Sequence, residues 1–246
     1  MKFKLVLFVA LTSVGALFAA EAENPKVETV KPVKWEKSVA VGLTLTSGNS
    51  DTLLFTANAL GVRKWNRNEL NVGANISYGE NNKVVNNESF GAFSQYDRLF
   101  GEKNYGYVRV EGLHDAIADV EMRLTIGPGV GYYFIKNEKQ TLRGEAGPAF
   151  VYEQLGTGKE NFATLRVGEK YTLNLGERAR LWQTAEFLPE VSDFSNYLLN
   201  FEIGVEADLT KKMALRVVLQ NRYDSEPTKG RESNDIKLVS GISYKF

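Results

Sequence analysis

The sequence predicts an all-β protein: a transmembrane antiparallel up-and-down β-barrel of about twelve strands, preceded by a cleaved signal peptide. Three observations predict it. The first residues have the layout of an export signal. Nothing after Ala22 stays apolar long enough to cross a bilayer as a helix. The rest divides into short segments in which apolar and polar side chains alternate, each ended by turn residues. Only helices and closed barrels satisfy every backbone polar group inside hydrocarbon. An exported chain of this kind is therefore a membrane barrel or a soluble periplasmic β protein.

At the N-terminus, Lys2 and Lys4 precede a stretch from Leu5 to Ala20 that is apolar apart from Thr12 and Ser13. Ala20-Glu21-Ala22 supplies a small-x-small cleavage site. Residues 1–22 are read as the signal peptide. Residues 23–34 carry Pro25 and Pro32 without periodicity and read as a periplasmic lead-in. Residues 35–246 form the barrel.

Twelve segments follow in order: 39–46, 52–63, 69–78, 89–99, 105–114, 122–134, 141–152, 162–173, 179–188, 197–209, 213–223 and the terminal run from Asp235. The third alternates Leu70, Val72, Ala74, Ile76 and Tyr78 against Asn71, Gly73, Asn75 and Ser77. The tenth sets Tyr197, Leu199, Phe201, Ile203, Val205, Ala207 and Leu209 against Asn200, Glu202, Gly204, Glu206 and Asp208. Side chains of a strand alternate faces, so each segment has one apolar and one polar surface. The second and fourth segments fix no face. Ser47-Gly48-Asn49-Ser50-Asp51 is a turn cluster. Connections after even segments are short; those after odd segments are mostly longer, namely 79–88, 156–161, 189–196 and 224–234. That asymmetry is the pattern of outer-membrane barrels, with short turns and both termini on the periplasmic side.

The last segment ends on Tyr244-Lys245-Phe246. It resembles the terminal strand of bacterial outer-membrane barrels. The resemblance implies recognition of Tyr244 and Phe246 by the barrel-assembly machinery, with this strand closing against residues 39–46. Trp35, Trp65, Phe100, Tyr105, Tyr132, Phe134, Tyr171 and Phe246 fall near one rim. Tyr78, Phe90, Phe150, Tyr152, Phe187 and Tyr197 fall near the other, which suggests two interfacial girdles against membrane lipid.

With the apolar face toward lipid, the lumen receives Arg109, Glu111, Arg123, Arg143, Glu145, Arg166, Lys170, Arg180, Glu186, Glu202, Glu206, Arg216, Arg222, Asp235 and Lys237. A closed dry core would pay heavily for so many ions; a wet lumen or a dense ion-pair network does not. Two readings of the lumen stand side by side: an interior locked by mixed charges, or a narrow pore for small ions or solutes. Nine bases against six acids give the pore a slight anion preference. On the same parity Glu169 and Gln183 face lipid, and a bulge there would remove the conflict.

Other classes find less support. The chain has no cysteine and a net charge of +0, so neither disulfides nor nucleic-acid binding is implied. No cofactor or metal is implied, and no catalytic residue is assigned. His114 is the only histidine. An outer-membrane hydrolase using His114 is the enzymatic alternative, but Asp115 beside it points to the opposite face and no nucleophile accompanies it. Gly127-Pro128-Gly129-Val130-Gly131 lacks the following helix of a phosphate loop. Its glycines are read as permitting curvature or thinning the wall.

Trp35-Glu36, Gly42, Thr46-Ser47-Gly48-Asn49-Ser50-Asp51, Gly127 to Tyr132, Arg222-Tyr223-Asp224-Ser225-Glu226-Pro227 and Asn234-Asp235 occur in this order before Phe246. In these the chain resembles a family of unknown function described as salt-induced outer-membrane proteins. The resemblance covers residues 35–246. It implies an outer-membrane barrel of Gram-negative bacteria with a link to salt or osmotic adaptation, and no catalytic motif.

Overall fold

A computed structural model describes residues 35–46 and 51–246. The expected signal peptide and lead-in, and the 47–50 turn, lie outside the described residues. Twelve strands are present: β1 (Trp35–Thr46), β2 (Thr52–Trp65), β3 (Asn68–Asn81), β4 (Val84–Leu99), β5 (Asn104–Asp115), β6 (Val120–Lys136), β7 (Gln140–Leu155), β8 (Gly158–Asn174), β9 (Ala179–Pro189), β10 (Tyr197–Asp208), β11 (Met213–Asp224) and β12 (Asn234–Lys245). Each pairs antiparallel with its sequence neighbours, and β1 pairs with β12 to close the barrel. The closing seam is short. It runs from Ser38↔Lys245 to Val41↔Ile242, extended by the Phe246 N–H donating to the Lys37 carbonyl at 3.1 Å. Where it ends the backbones almost touch: a Cβ on Gly241 would stand 2.1 Å from the Val41 carbonyl oxygen.

Alternation decides which face is which. Val41, Leu43, Ile126, Val130, Leu165, Val205, Leu215, Val217 and Leu238 are exposed on the exterior. Such a continuous apolar surface suits hydrocarbon and not water. The polar face turns inward, burying Thr56, Ser77, Gln95, Asp97, Glu145, Thr164, Arg166 and Glu206. The structure also fixes the faces of β2 and β4. Phe55 and Phe90 point outward, whereas Thr56, Gln95 and Asp97 point inward.

Four sequence expectations are revised. The 79–88 segment is not a long loop. β3 and β4 continue to a two-residue turn, Asn82-Lys83, with φ of 50° and 64°. Two successive positive φ values match the twist of the hairpin, and asparagine tolerates them better than most residues. Likewise β7 and β8 join through residues 156–157, so the 156–161 loop is mostly strand. No bulge relieves Glu169 and Gln183, because β8 and β9 pair without a register shift. Both stay on the outer face, and Gln183 Nε2 donates to Glu169 Oε2 at 2.9 Å. Irregularities instead fall at Gly79/Glu80, Leu113/Asp115, Val120/Met122 and Tyr133/Ile135.

Tyr105 is the fourth revision. It shares the parity of Arg109 and lies inside, 1% exposed, instead of in a lipid girdle. Its ring lies over its cross-strand partner Gly131, where a Cβ would stand 2.1 Å from Tyr105 Cζ. Tyr107 covers Gly129 and Trp182 covers Gly204 in the same way. The glycine run of β6 is thus a seat for lumen aromatics, which fill the space the missing side chains leave. Gly131→Leu is expected to destabilise the barrel by about 1–3 kcal/mol through overpacking. Urea unfolding of the folded barrel checks this, and Tyr105→Ala in the same chain should recover part of the loss.

Candidate functional site: the lumen and its mouth

The inner wall from β4 to β9 carries a continuous charge network. β7 supplies Arg143 and Glu145, two positions apart and so on one face. Arg143 lies 3.4 Å from Asp97 and 3.7 Å from Glu145. Arg166 of β8 lies 2.8 Å from Glu145 and 2.5 Å from Glu186 of β9. The hydroxyl of Tyr105 and the amide of Gln95 both donate to Glu145 Oε1, at 2.8 and 2.9 Å. Arg166 also donates to the Tyr107 hydroxyl at 3.0 Å. Both oxygens of Glu145 are therefore satisfied, which is the condition under which buried charge is tolerated.

Two smaller clusters lie toward β10 to β12. Glu202 accepts from Trp182 Nε1 at 2.7 Å and Gln220 Nε2 at 2.8 Å, with Arg216 at 3.9 Å. Glu206 lies 3.3 Å from Arg180 and 3.1 Å from Lys245, and accepts from Ser243 at 3.1 Å.

At the rim opposite the termini, ties cross the lumen. Asp224, at the end of β11, accepts from Arg123 of β6 at 2.9 Å, and Arg123 also pairs with Glu153. Arg222 of β11 reaches toward Asp115 of β5, 3.8 Å away. Asp115 is held by the N–H groups of Ile117 and Ala118 at 3.2 and 3.1 Å. The 225–233 loop leaves β11 directly after these ties. With Arg109, Glu111, Arg166 and Glu186 below it, the loop encloses a cavity of about 350 Å³.

The structure thus puts every lumen candidate from Arg109 to Lys237 on the inner face. Arg109 pairs with Glu111 at 2.6 Å. Lys170 stands across from Arg143 and Thr184 and is open to the lumen. Asp235 sits across from Arg222. Sequence reasoning missed Asp97, Asp115, Glu153, Asp208, Asp224 and Lys245. For all of them but Asp97, which lies on the undetermined fourth segment, parity with assigned lumen residues was the available signal. With them included the basic excess disappears, and with it the ground for an anion preference by counting. Outside the spanning segments, the N–H and hydroxyl of Ser195 donate to Asp193 and hold its carboxyl below the usual range. His114 does not meet Asp115: its Nδ1 lies 2.9 Å from the Glu121 carbonyl oxygen.

A family model described as "Protein of unknown function, DUF481" matches residues 39–246. The chain belongs to the DUF481 family. No curated protein matches it. Among solved structures it is similar to the NanC porin, with a TM-score of 0.53 and 8% identity over 86% of this chain and 100% of that one. It is also similar to the KdgM porin, with a TM-score of 0.48 and 8% identity over 87% and 99% of the two chains. The translocator domain of the autotransporter NalP from Neisseria meningitidis matches with a TM-score of 0.47 and 13% identity over 86% and 87%. At 8% identity the likeness to the NanC porin is one of fold, and this DUF481 chain has the fold of an outer-membrane β-barrel.

Proposed function

We propose that this protein is an integral outer-membrane barrel that gives small hydrophilic solutes a narrow passage, restricted at its mouth by the 225–233 loop. One observation carries the reading. A cavity of about 350 Å³, whose lining carries charged side chains such as Arg109, Glu186 and Arg231 among apolar ones, lies inside a barrel whose exterior is apolar. A lumen built only for rigidity would gain from apolar packing, which replaces buried ion pairs without loss of stability. Planar-bilayer recording tests the passage: discrete conductance steps support it. An absence of steps in both the intact protein and a variant lacking residues 225–233 would sink it. An envelope-structural role would then stand, favoured by the satisfied network around Glu145. A contribution to salt adaptation is part of the proposal and is read from growth of a deletion strain in high salt.

A further inference from the structure

A second cavity, of about 30 Å³, lies in the lumen wall between β1–β3 and β11–β12. We infer that it is a binding site for a single small monovalent anion of halide size. This goes beyond the passage reading and does not need it, because the pocket exists whether or not the barrel conducts.

The lining decides the charge of the ligand. Arg216, Arg222 and Lys237 contribute three cations, and no carboxylate lines the pocket. Lys237 is the one least neutralised. Among the described residues no carboxylate lies within ion-pair distance of it; its Nζ donates to Asn87 Oδ1 at 3.3 Å. Asp235 is two positions along the same strand, and the nearby Asp115 is held by backbone N–H groups and by Arg222. Lys237 is therefore the cation of this lining that no ion pair holds among the described residues.

The lining also supplies donors without a use. Thr56 Oγ1 and Ser77 Oγ are buried and have no hydrogen-bond partner among the described residues. Thr56 and Ser77 are only 5% and 7% exposed. Buried donors left unmatched carry a penalty of about 1–3 kcal/mol each, and native proteins rarely tolerate several in one place. Thr56 and Ser77 are cross-strand partners, and an anion between Lys237 and these two hydroxyls would satisfy both. The volume suits a small ion: about 30 Å³ corresponds to one or two water-sized spheres, enough for a halide.

Chloride NMR linewidths of the folded, detergent-solubilised barrel test the site, with bromide as the competing probe. The intact protein should broaden the chloride signal, and bromide should remove the broadening. Loss of a charged contact is expected to weaken binding about tenfold, so Lys237→Gln should abolish the excess linewidth. Thr56→Val, which keeps the shape but not the hydroxyl, should reduce it. Lys237→Arg, and Lys170→Gln elsewhere in the lumen, should retain it. Folding of each variant is verified by its heat-dependent gel mobility. Excess broadening that persists in Lys237→Gln, or that is absent from the intact protein, would overturn the assignment.

Discussion

Replacing Glu145 by alanine is expected to lower the unfolding free energy of the barrel by about 3 kcal/mol, the loss typical of breaking a buried ion network from one side. Four groups lose their acceptor together: Arg143, Arg166, Tyr105 and Gln95. Asp97 and Glu186 remain for the two arginines, but the Tyr105 hydroxyl has no second partner among the described contacts. Urea unfolding followed by tryptophan fluorescence should show the shift, since Trp182 lies on the lumen wall. Glu111→Ala is the control. Among the described residues Glu111 pairs only with Arg109, and its side chain is 37% exposed, so its removal should change stability by less than about 1 kcal/mol. Equal effects of the two substitutions would mean that the network does not act as a unit.

The second large effect concerns the mouth. In the double variant Asp115→Asn, Asp224→Asn both cross-lumen ties lose their charge while the side chains keep their shape. The 225–233 loop is expected to come free on one side. It remains attached through the Tyr197 N–H donating to Ser225 Oγ at 2.7 Å. Loss of one charge-assisted hydrogen bond is enough for a population shift of about tenfold. Trypsin should therefore cut at Lys229 and Arg231 about tenfold faster, a readout that needs no conduction. If the passage reading holds, conductance should rise in parallel. Unchanged cleavage would show that the loop rests on its own contacts and not on Arg123 and Arg222.

Much of the barrel was legible because a strand writes its two faces into the sequence with period two. The strand number, the apolar belt and the inward set from Arg109 to Lys237 all follow from that period. What failed was local. The asparagine-rich 79–88 stretch lacks apolar alternation and reads as a loop, yet it pairs as strand around Asn82-Lys83. Tyr105 was read by residue type as a girdle aromatic, although its parity with Arg109 and Glu111 placed it inside. Glu169 and Gln183 satisfy one another on the outer face, an outcome no one-dimensional pattern expresses. The pairings were least legible of all. Arg123 and Asp224 are 101 residues apart, and Gln95 and Glu145 are 50 apart. Closure of the ring alone brings them together. The 30 Å³ pocket was hidden for the same reason. Thr56 lies on β2, whose faces alternation left open, and Ser77 reads as one polar residue among many.

The central claim is that the charged face of this barrel meets water and the apolar face meets lipid. The native chain has no cysteine, so single cysteines report without background. Lys170→Cys and Lys237→Cys should react with a water-soluble maleimide in the folded, membrane-inserted protein. Leu165→Cys and Val205→Cys should stay unreactive until the barrel is unfolded. Reaction at Leu165 and Val205 in the folded state, with protection at Lys170 and Lys237, would contradict the account.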